Sequence, residues 1–423
     1  MNAIDLLIIV GKCAFMMLFL LQILPLLIWG ERKGAAYIQD RPGPNRAEVA
    51  GLRVAGMVHT ITDVLKLLFK EDVTPAGVYQ PYYKLAPIIS MSVALVTFAV
   101  IPFAAPLEIG GTSYPALVAD LDAGLLYILA VSSLGIYGIM LAGWASNNKY
   151  ALLGGIRSSA QMISYEISMG LAVAVVFMMA GSTRPSVIVD MQGAMPWHWT
   201  IASVPGFIAF VMFATAGFAE TNRLPFDLPE GESELVAGYH TEYSAFKFAM
   251  FFMAEYVNMI VISGILVTLF FGGYQVPFLS TDFLRSNAPT VTSVAFLGGA
   301  LGALVVAVLI FRLYKPGRFG DARDKEPLIL GAACIAGALV SAGLALIPDY
   351  SNPLAATLAT ALIQFSVFTA KVLFFCWVFI WVRWTLPRFR YDQLMRLGWS
   401  YMLPLGFFNL VLAGGYLVLR NGL

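Results

Sequence analysis

The sequence predicts an all-α, polytopic integral membrane protein, and three observations lead to that fold class. Hydrophobic side chains make up 59% of the 423 residues and charged ones only 12%, about half the charged share of a soluble domain. Uncharged apolar stretches long enough to cross a bilayer, about 20 residues each, recur along the chain. Backbone N–H and C=O groups in lipid must bond within their own segment, so these stretches form helices.

We expect about ten transmembrane helices within a single membrane domain, residues 1–423. The candidate stretches are roughly 6–30, 85–105, 123–146, 159–181, 204–221, 246–271, 290–312, 328–348, 357–384 and 398–419. The first is a membrane span and not a signal peptide, because its apolar run is too long and most of its positive charges follow it.

The placement of Lys and Arg predicts the topology, since cytoplasmic loops carry an excess of these residues. With the N-terminus outside and an even number of spans, 21 of the 26 Lys and Arg residues fall in cytoplasmic segments. The loop 220–245 is then cytoplasmic.

Residues 50–71 differ from the spans, because their polar and apolar side chains separate onto two helix faces. The polar face carries His59, Asp63, Lys66 and Lys70, and the apolar face carries Val58, Ile61, Leu65 and Leu68. This pattern predicts an amphipathic helix at the cytoplasmic interface. The pattern leaves open whether the helix is a plain surface anchor or has a functional part.

An acidic loop connects two apolar stretches near the middle of the chain. Six acidic side chains lie within its 23 residues: Glu220, Asp227, Glu230, Glu232, Glu234 and Glu242. Apolar residues such as Leu224 and Phe226 are interleaved with them, which favours a packed segment handling protons or a polar ligand. A solvated surface loop is the plainer alternative.

Three ionisable residues lie at membrane depth: Glu166, Glu255 and Lys371. Insertion of such a group costs about 2.5–3.5 kcal/mol, so each one needs a reason to be there. A proton path and a packing ion pair are the two explanations, and we favour the first. For Lys12, near the outer end of its span, snorkelling to the interface is sufficient.

The three cysteines and three histidines are scattered, and no CxxC or similar ligand spacing occurs. We therefore expect no metal, haem or iron–sulfur centre in this chain and no catalytic residue of its own, so that any redox centre lies in a partner. The net charge of +1 and the lack of a basic, aromatic-rich groove give no reason to expect nucleic acid as a partner.

Five sequence blocks carry a family resemblance. They are GERKGAAYIQDRPGPN (30–45), DVLKLLFKED (63–72), SSAQMISYEISMGLA (158–172), ETNRLPFDLPEGESELVAGYHTEYSAFKF (220–248) and LPRFRYDQLMRLGWSYMLPL (386–405). Together they resemble the membrane subunit that forms the quinone chamber of respiratory complex I, the NADH-quinone oxidoreductase of bacteria and mitochondria.

The resemblance implies a subunit of a proton-translocating NADH:quinone oxidoreductase that joins the membrane arm to the hydrophilic arm. Ubiquinone or menaquinone, the substrate, enters its chamber from the lipid bilayer. NADH, FMN and the iron–sulfur clusters belong to partner subunits, and none of these cofactors is bound by this chain.

By position, the resemblance also implies two sets of site residues. The quinone-chamber residues are Glu31, Arg32, Arg41, Asp63, Lys66, Glu220, Arg223, Asp227, Glu230, Glu232, Glu234, Arg388 and Arg390. The proton-path residues are Glu166, Glu242, Glu255 and Lys371.

The chain departs from the family pattern of eight spans. About 80 residues, roughly 277–355, are additional and contain two of the ten apolar stretches. We expect a peripheral helical hairpin there, with no function assigned. The insertion and the length of the chain favour a bacterial plasma (inner) membrane over a mitochondrial one.

Two alternatives remain at this point. One is a membrane subunit of a related hydrogenase or ferredoxin-linked complex, which the complete DLPEGE block (227–232) disfavours. The other is a secondary proton antiporter, which the membrane-depth acids favour and the lack of internal repeats disfavours.

Overall fold

A computed structural model of the chain describes residues 3–49, 52–109, 112–228, 236–314, 325–346 and 353–421. It confirms the all-α membrane class. The helices are α1 (Ala3–Ile38), α2 (Val58–Phe69), α3 (Gln80–Thr97), α4 (Gly124–Ala145), α5 (Lys149–Ala180), α6 (Pro185–Gln192), α7 (Val204–Glu220), α8 (Ala245–Phe270), α9 (Thr281–Ser286), α10 (Ala288–Leu313), α11 (Glu326–Ala345), α12 (Pro353–Thr385), α13 (Tyr391–Arg396) and α14 (Leu403–Asn421).

Within these described ranges, nine helical segments are long and apolar enough to cross a membrane. The helix α7 is also apolar but has 17 residues. The last span joins α13 to α14 through a π-helical turn, Leu397–Met402. Every stretch predicted from hydropathy overlaps one of these helices.

Helix boundaries differ from the prediction where polar residues lie inside a helix. The helix α1 continues to Ile38, past the predicted end near residue 30. The helix α5 begins at Lys149, where the Asn148 side chain accepts a hydrogen bond from the Tyr150 N–H at 2.9 Å. Capping of this kind satisfies a free N–H group of the first turn, and hydropathy does not detect it.

A small β-hairpin replaces the end of the predicted span 85–105. Its strands are β1 (Ala104–Ile109) and β2 (Thr112–Ala116), paired antiparallel with Leu107 opposite Tyr114. Proline at positions 102 and 106 cannot continue a helix, so the apolar run changes to extended backbone. The hairpin lies near the N-terminal end of α1, since Lys12 Nζ donates to the Pro115 carbonyl at 2.6 Å.

The helix α8 forms the centre of the bundle. Its side chains from Tyr256 to Phe270 are nearly all buried, and the helix packs against α1, α3, α7 and α12. At one crossing, Gly217 of α7 approaches so closely that a Cβ there would lie 2.6 Å from the Ile262 side chain. Groups on α8 are therefore held rigidly and away from lipid.

Two helices of the segment expected to be additional, α10 and α11, lie at the periphery. These helices pack against each other, and α10 also contacts α12. The Ser341 hydroxyl donates to the Phe296 carbonyl at 2.7 Å, and the Phe311 ring fills the space above Gly331. Most side chains of both helices face outward.

Candidate functional site: a buried charge cluster between two clefts and an enclosed cavity

The C-terminal end of α7 leads into a tight turn that buries an arginine. The Arg223 N–H bonds back to the Phe218 carbonyl at 3.4 Å, and the Phe226 N–H bonds to the Arg223 carbonyl at 2.8 Å. This turn directs the Arg223 guanidinium toward α8, where its side chain is only 1% exposed. A charge buried to this degree requires charged partners.

Two carboxylates provide those partners. Arg223 Nη1 donates to Glu31 Oε2 of α1 at 2.7 Å, and Arg223 Nε pairs with Glu255 of α8. The guanidinium also lies 4.1 Å from the centre of the Tyr256 ring, in a cation–π contact. Burial alone lowers the pKa of Arg223, but the charges of Glu255 and Glu31 outweigh it and hold the pKa well above the ordinary value.

Glu31 is the common partner of the cluster. Its Oε2 also accepts a hydrogen bond from the Tyr256 hydroxyl at 2.7 Å, and its Oε1 pairs with Arg383 near the end of α12. The residue is 4% exposed. One carboxylate therefore ties together α1, the turn after α7, α8 and α12.

A second ion pair lies beside this cluster, on the same turn. Arg388 Nη2 donates to Asp227 Oδ2 at 2.8 Å, and the Phe389 N–H bonds to the Pro225 carbonyl at 3.1 Å. Burial raises the pKa of Asp227 to about 6, although Arg388 opposes this shift, and Glu255 adds to it. The folded protein therefore favours the protonated form of Asp227 more than the unfolded chain does.

A charged cleft opens next to Glu31. Its volume is about 350 Å³. Its polar lining includes Glu31, Arg32, Arg41, Tyr256 and Arg383. These side chains offer cationic donors, an anionic acceptor and a hydroxyl to one polar group.

A larger, mostly apolar cleft of about 820 Å³ adjoins it between α1, α2 and the start of α8. Leu24 and Ile28 of α1, Val64 of α2 and Met253 of α8 contribute to its walls. Both clefts are lined by Arg32 and Phe252, so they meet at these two residues. An elongated molecule with an apolar tail and a polar head fits this arrangement.

The helix α2 forms one wall of the apolar cleft, and two side chains of its polar face attach it to neighbouring segments. Arg32 pairs with Asp63, whose side chain is 35% exposed. Nε2 of His59 accepts hydrogen bonds from the N–H groups of Arg46 and Ala47, at 3.0 and 3.1 Å. The loop before α2 is therefore attached to the helix by a side chain that must present an unprotonated nitrogen.

An enclosed cavity of about 50 Å³ lies deeper in the bundle, between Glu255 and Glu220. Its polar lining also includes Asn258, Ser132 and Asn222. One water molecule needs about 10–15 Å³ of such space and two or more polar partners, so the cavity has room for a few.

Glu166 lies next to this cavity, on α5. Its carboxylate accepts a hydrogen bond from Ser133, and its charge interacts with that of Glu220. Glu220 itself is 6% exposed. Glu255 and Glu220 thus line one cavity, and Glu166 lies within electrostatic reach of Glu220.

Most of the chamber residues expected from the resemblance lie around the clefts or the ion pairs beside them. Lys66 lines the apolar cleft, and Glu220 lines the enclosed cavity. Arg390 directly precedes α13, where its backbone N–H donates to Gln393 Oε1 at 3.1 Å. Glu230, Glu232 and Glu234 lie outside the described residues.

Two of the expected proton-path residues do not line the cavity. Glu242 accepts a hydrogen bond from Asn148 Nδ2 at 2.7 Å, on the side of the bundle near Tyr83. Lys371 Nζ donates to three carbonyls that follow α8, those of Phe271, Gly273 and Gln275, at 2.8–3.0 Å. Since Phe271 is 16 residues beyond Glu255, about 24 Å along the helix axis separates Lys371 from the cluster.

Three participants were not expected from the sequence. Tyr256 donates a hydrogen bond to Glu31, and Arg383 forms an ion pair with it. Ser133 donates a hydrogen bond to Glu166. The position of Tyr256 directly after a membrane-depth glutamate is the one signal that pointed to it. Among the described residues, no group of three or more His, Cys, Asp or Glu side chains is arranged to hold a metal ion.

Comparison with known proteins identifies what the chain resembles. The model of the NADH dehydrogenase family matches residues 11–414. The H-type subunit of NADH-quinone oxidoreductase from Leptospira biflexa is 44% identical over 396 residues, covering 92% of this chain and 88% of that protein.

Two further relatives are similar over nearly their whole length. NADH-quinone oxidoreductase subunit 8 of Rhodothermus marinus is 43% identical, covering 91% of this chain and 90% of the relative. An H-type subunit of NADH-quinone oxidoreductase from Geobacter metallireducens is 39% identical, covering 99% of both chains.

Proposed function

The chain belongs to the NADH dehydrogenase family, and we propose that it is the membrane subunit forming the quinone chamber of a proton-pumping NADH:quinone oxidoreductase. The observation that carries this proposal is the junction of the two clefts at Arg32 and Phe252. The names of the relatives favour this function over a hydrogenase-linked complex or an antiporter.

The two clefts match the two parts of a quinone. The isoprenoid tail is apolar, and the larger cleft offers it walls from α1, α2 and α8. The quinone head carries two carbonyl oxygens, which accept hydrogen bonds from donors such as the Arg32, Arg41 and Arg383 guanidinium groups. Pockets of this kind bind through apolar walls and a few placed polar groups.

The acidic residues behind the charged cleft support the second part of the proposal, the coupling of quinone reduction to proton translocation. Reduction of a quinone to a quinol takes two electrons from a partner subunit and two protons, and the quinol stays neutral. Each proton drawn from an acidic side chain of the site leaves that side chain with an added negative charge. Glu255 shares Arg223 with Glu31 and also lines the enclosed cavity, so it connects the two regions. Glu220 lines the same cavity, and Glu166 lies within electrostatic reach of Glu220.

We base the proposed membrane orientation on the distribution of the Lys and Arg residues. The chain is a multi-pass protein of the bacterial plasma membrane, with an outside N-terminus and the loop 220–245 and the amphipathic segment 50–71 on the cytoplasmic side. The charge cluster then faces the hydrophilic partner subunits, which hold the NADH site, FMN and the iron–sulfur clusters. Quinone and lipid reach the apolar cleft from the bilayer.

Narrowing the apolar cleft tests the chamber. Val64 lines this cleft and is 49% exposed, so Val64→Trp places a large ring in the path of the tail. Ile61 lies on the same helix, is 58% exposed and does not line the cleft, so Ile61→Trp is the matched control. We expect Val64→Trp to lower NADH:quinone activity with a long-tailed quinone, while NADH:ferricyanide activity stays unchanged. Equal quinone kinetics in the two variants would contradict the chamber proposal.

The proton path needs its own test. Glu220→Gln keeps the shape of the side chain and removes its charge. We expect NADH:ferricyanide activity and assembly to remain, and quinone-driven proton pumping by vesicles containing the complex to be lost. Normal pumping in this variant would remove Glu220 from the path.

A further inference from the structure

The inserted helix α11 reaches the loop that leads into α2. Glu326, its first residue, is 9% exposed, and its Oε1 accepts a hydrogen bond from the Ala55 N–H at 3.1 Å. The rest of α10 and α11 lies at the periphery of the bundle, away from the clefts. This contact therefore connects the insertion to the residues beside the apolar cleft.

The backbone that Glu326 holds is strained. Val54, Ala55 and Gly56 have φ values of 47°, 54° and 89°, and the first two are not glycine. Such conformations persist where the surroundings impose them. Here the Ala55 carbonyl accepts a hydrogen bond from Trp29 Nε1 of α1 at 3.0 Å, so both backbone groups of Ala55 are held by side chains from other helices.

The same loop is packed tightly against α1. A Cβ at Gly56 would lie 2.0 Å from the Pro44 carbonyl oxygen, so the two parts of the loop are in direct contact there. Lys33 Nζ donates to the Pro42 carbonyl at 2.8 Å, and its charge interacts with that of Glu326. The loop is thus held between α1 on one side and α11 on the other, and α2 begins two residues after Gly56.

We propose that Glu326 is a positioning residue, through which the inserted helical pair braces α2 and sets the width of the apolar cleft. The inference rests on the proposed quinone function for its kinetic consequence. Its structural consequence, a fixed α2, is independent of that function. The insertion then acts on how the substrate tail is admitted, without touching the substrate.

The test compares Glu326→Met with Glu326→Gln in the intact complex. Methionine has nearly the same shape but offers no oxygen to the Ala55 N–H, whereas glutamine keeps an acceptor. Loss of one charge-assisted hydrogen bond predicts about 10- to 100-fold faster amide hydrogen exchange in peptides covering residues 52–69. We expect Glu326→Gln to restore most of the protection.

Steady-state kinetics with a long-tailed quinone give the second readout. We expect Glu326→Met to raise KM about 3- to 10-fold with little change in kcat, since α2 then spends part of its time away from the binding position. Glu326→Gln should remain near the wild-type KM. Trp29→Phe removes the other bond to Ala55 and should change exchange in the same direction, which provides a second variant if Glu326→Met assembles poorly.

The outcomes separate this inference from the proposed function. Unchanged exchange in both Glu326→Met and Trp29→Phe would overturn the brace. Faster exchange with an unchanged KM, while Val64→Trp still impairs quinone reduction, would also overturn it and leave the chamber intact. If neither Val64→Trp nor Glu326→Met alters quinone kinetics, the chamber proposal itself fails.

Discussion

Replacement of Arg223 by methionine is expected to destabilise this subunit strongly. The guanidinium is 1% exposed and pairs with both Glu31 and Glu255. A pair of charges about 4 Å apart interacts with roughly 4 kcal/mol at an effective dielectric constant of 20, before the cost of burial is subtracted. Removing one partner of a buried pair leaves an uncompensated charge and costs about 3–5 kcal/mol.

Two further variants show whether charge is the cause. Arg223→Lys keeps the positive charge but offers a single nitrogen where Arg223 meets the two carboxylates through Nη1 and Nε, so we expect an intermediate loss. In Arg223→Met, the Glu255 carboxylate loses the ion pair with Arg223, whereas Glu31 keeps its ion pair with Arg383. Adding Glu255→Gln to this variant removes the negative charge of Glu255. We expect this double variant to recover about 0.5–3 kcal/mol relative to Arg223→Met alone.

The buried thiol of Cys376 provides the assay. It is fully buried, on α12, so an alkylating reagent reaches it only when the structure opens. Mass spectrometry of the Cys376 peptide from the purified complex measures the labelling rate. A cost of about 3–5 kcal/mol predicts about 100- to several-thousand-fold faster labelling in Arg223→Met. A rate within threefold of wild type, or strict additivity of Arg223→Met and Glu255→Gln, would refute the buried-charge reasoning.

Three other predictions follow from particular residues. Burial raises the pKa of Asp227 from 3.8 to about 6, so ionisation of this residue lowers the stability of the fold as pH rises through that range. The Asp227→Asn variant should lose this pH dependence when its heat-inactivation rates are compared at pH 5 and 7. An unchanged pH dependence in the variant would contradict the prediction. Burial lowers the pKa of His240 from 6.5 to about 4, so the unfolded chain binds a proton first and stability falls as pH drops from about 6.5 to 4. His240→Phe, which keeps the ring contact with Phe248, should resist acid better than wild type, and equal acid sensitivity would argue against this cause. Lys371→Met leaves three carbonyls without their donor, at a cost of about 1–3 kcal/mol for each buried unsatisfied group. We expect this variant to accelerate Cys376 labelling without changing the quinone KM. A changed KM with normal labelling would instead indicate that Lys371 belongs to the proton path.

The fold class was predictable because apolar length and charge exclusion act on each helix separately. Helix boundaries differ from the prediction where an ion pair or a proline outweighs the hydropathy of the stretch. The helix α1 continues through Glu31 because Arg223 and Arg383 neutralise that carboxylate inside the bundle. The hairpin after α3 formed because proline ended an apolar run that hydropathy alone assigns to a helix.

Most of the charged residues of the cluster could be named from the sequence, but their pairing could not. The acids and arginines of the conspicuous motifs were expected, but a sequence does not show which helix ends meet. The partners of Glu31 come from positions 223, 256 and 383, each in a different part of the chain. Glu326 lies in a segment to which the sequence assigned no function, and the role that we propose for it rests on its contact with Ala55.

Photoaffinity labelling locates the bound quinone directly. The intact complex would be illuminated with an azido-quinone that carries a long tail, with and without excess quinone, and the labelled peptides identified by mass spectrometry. We expect quinone-protected labelling in α2 and in the first turns of α8, especially near Phe252 and Met253, which line the apolar cleft. Protected labelling confined to partner subunits, or to the outer face of α10 and α11, would contradict the assignment of the clefts as the quinone chamber.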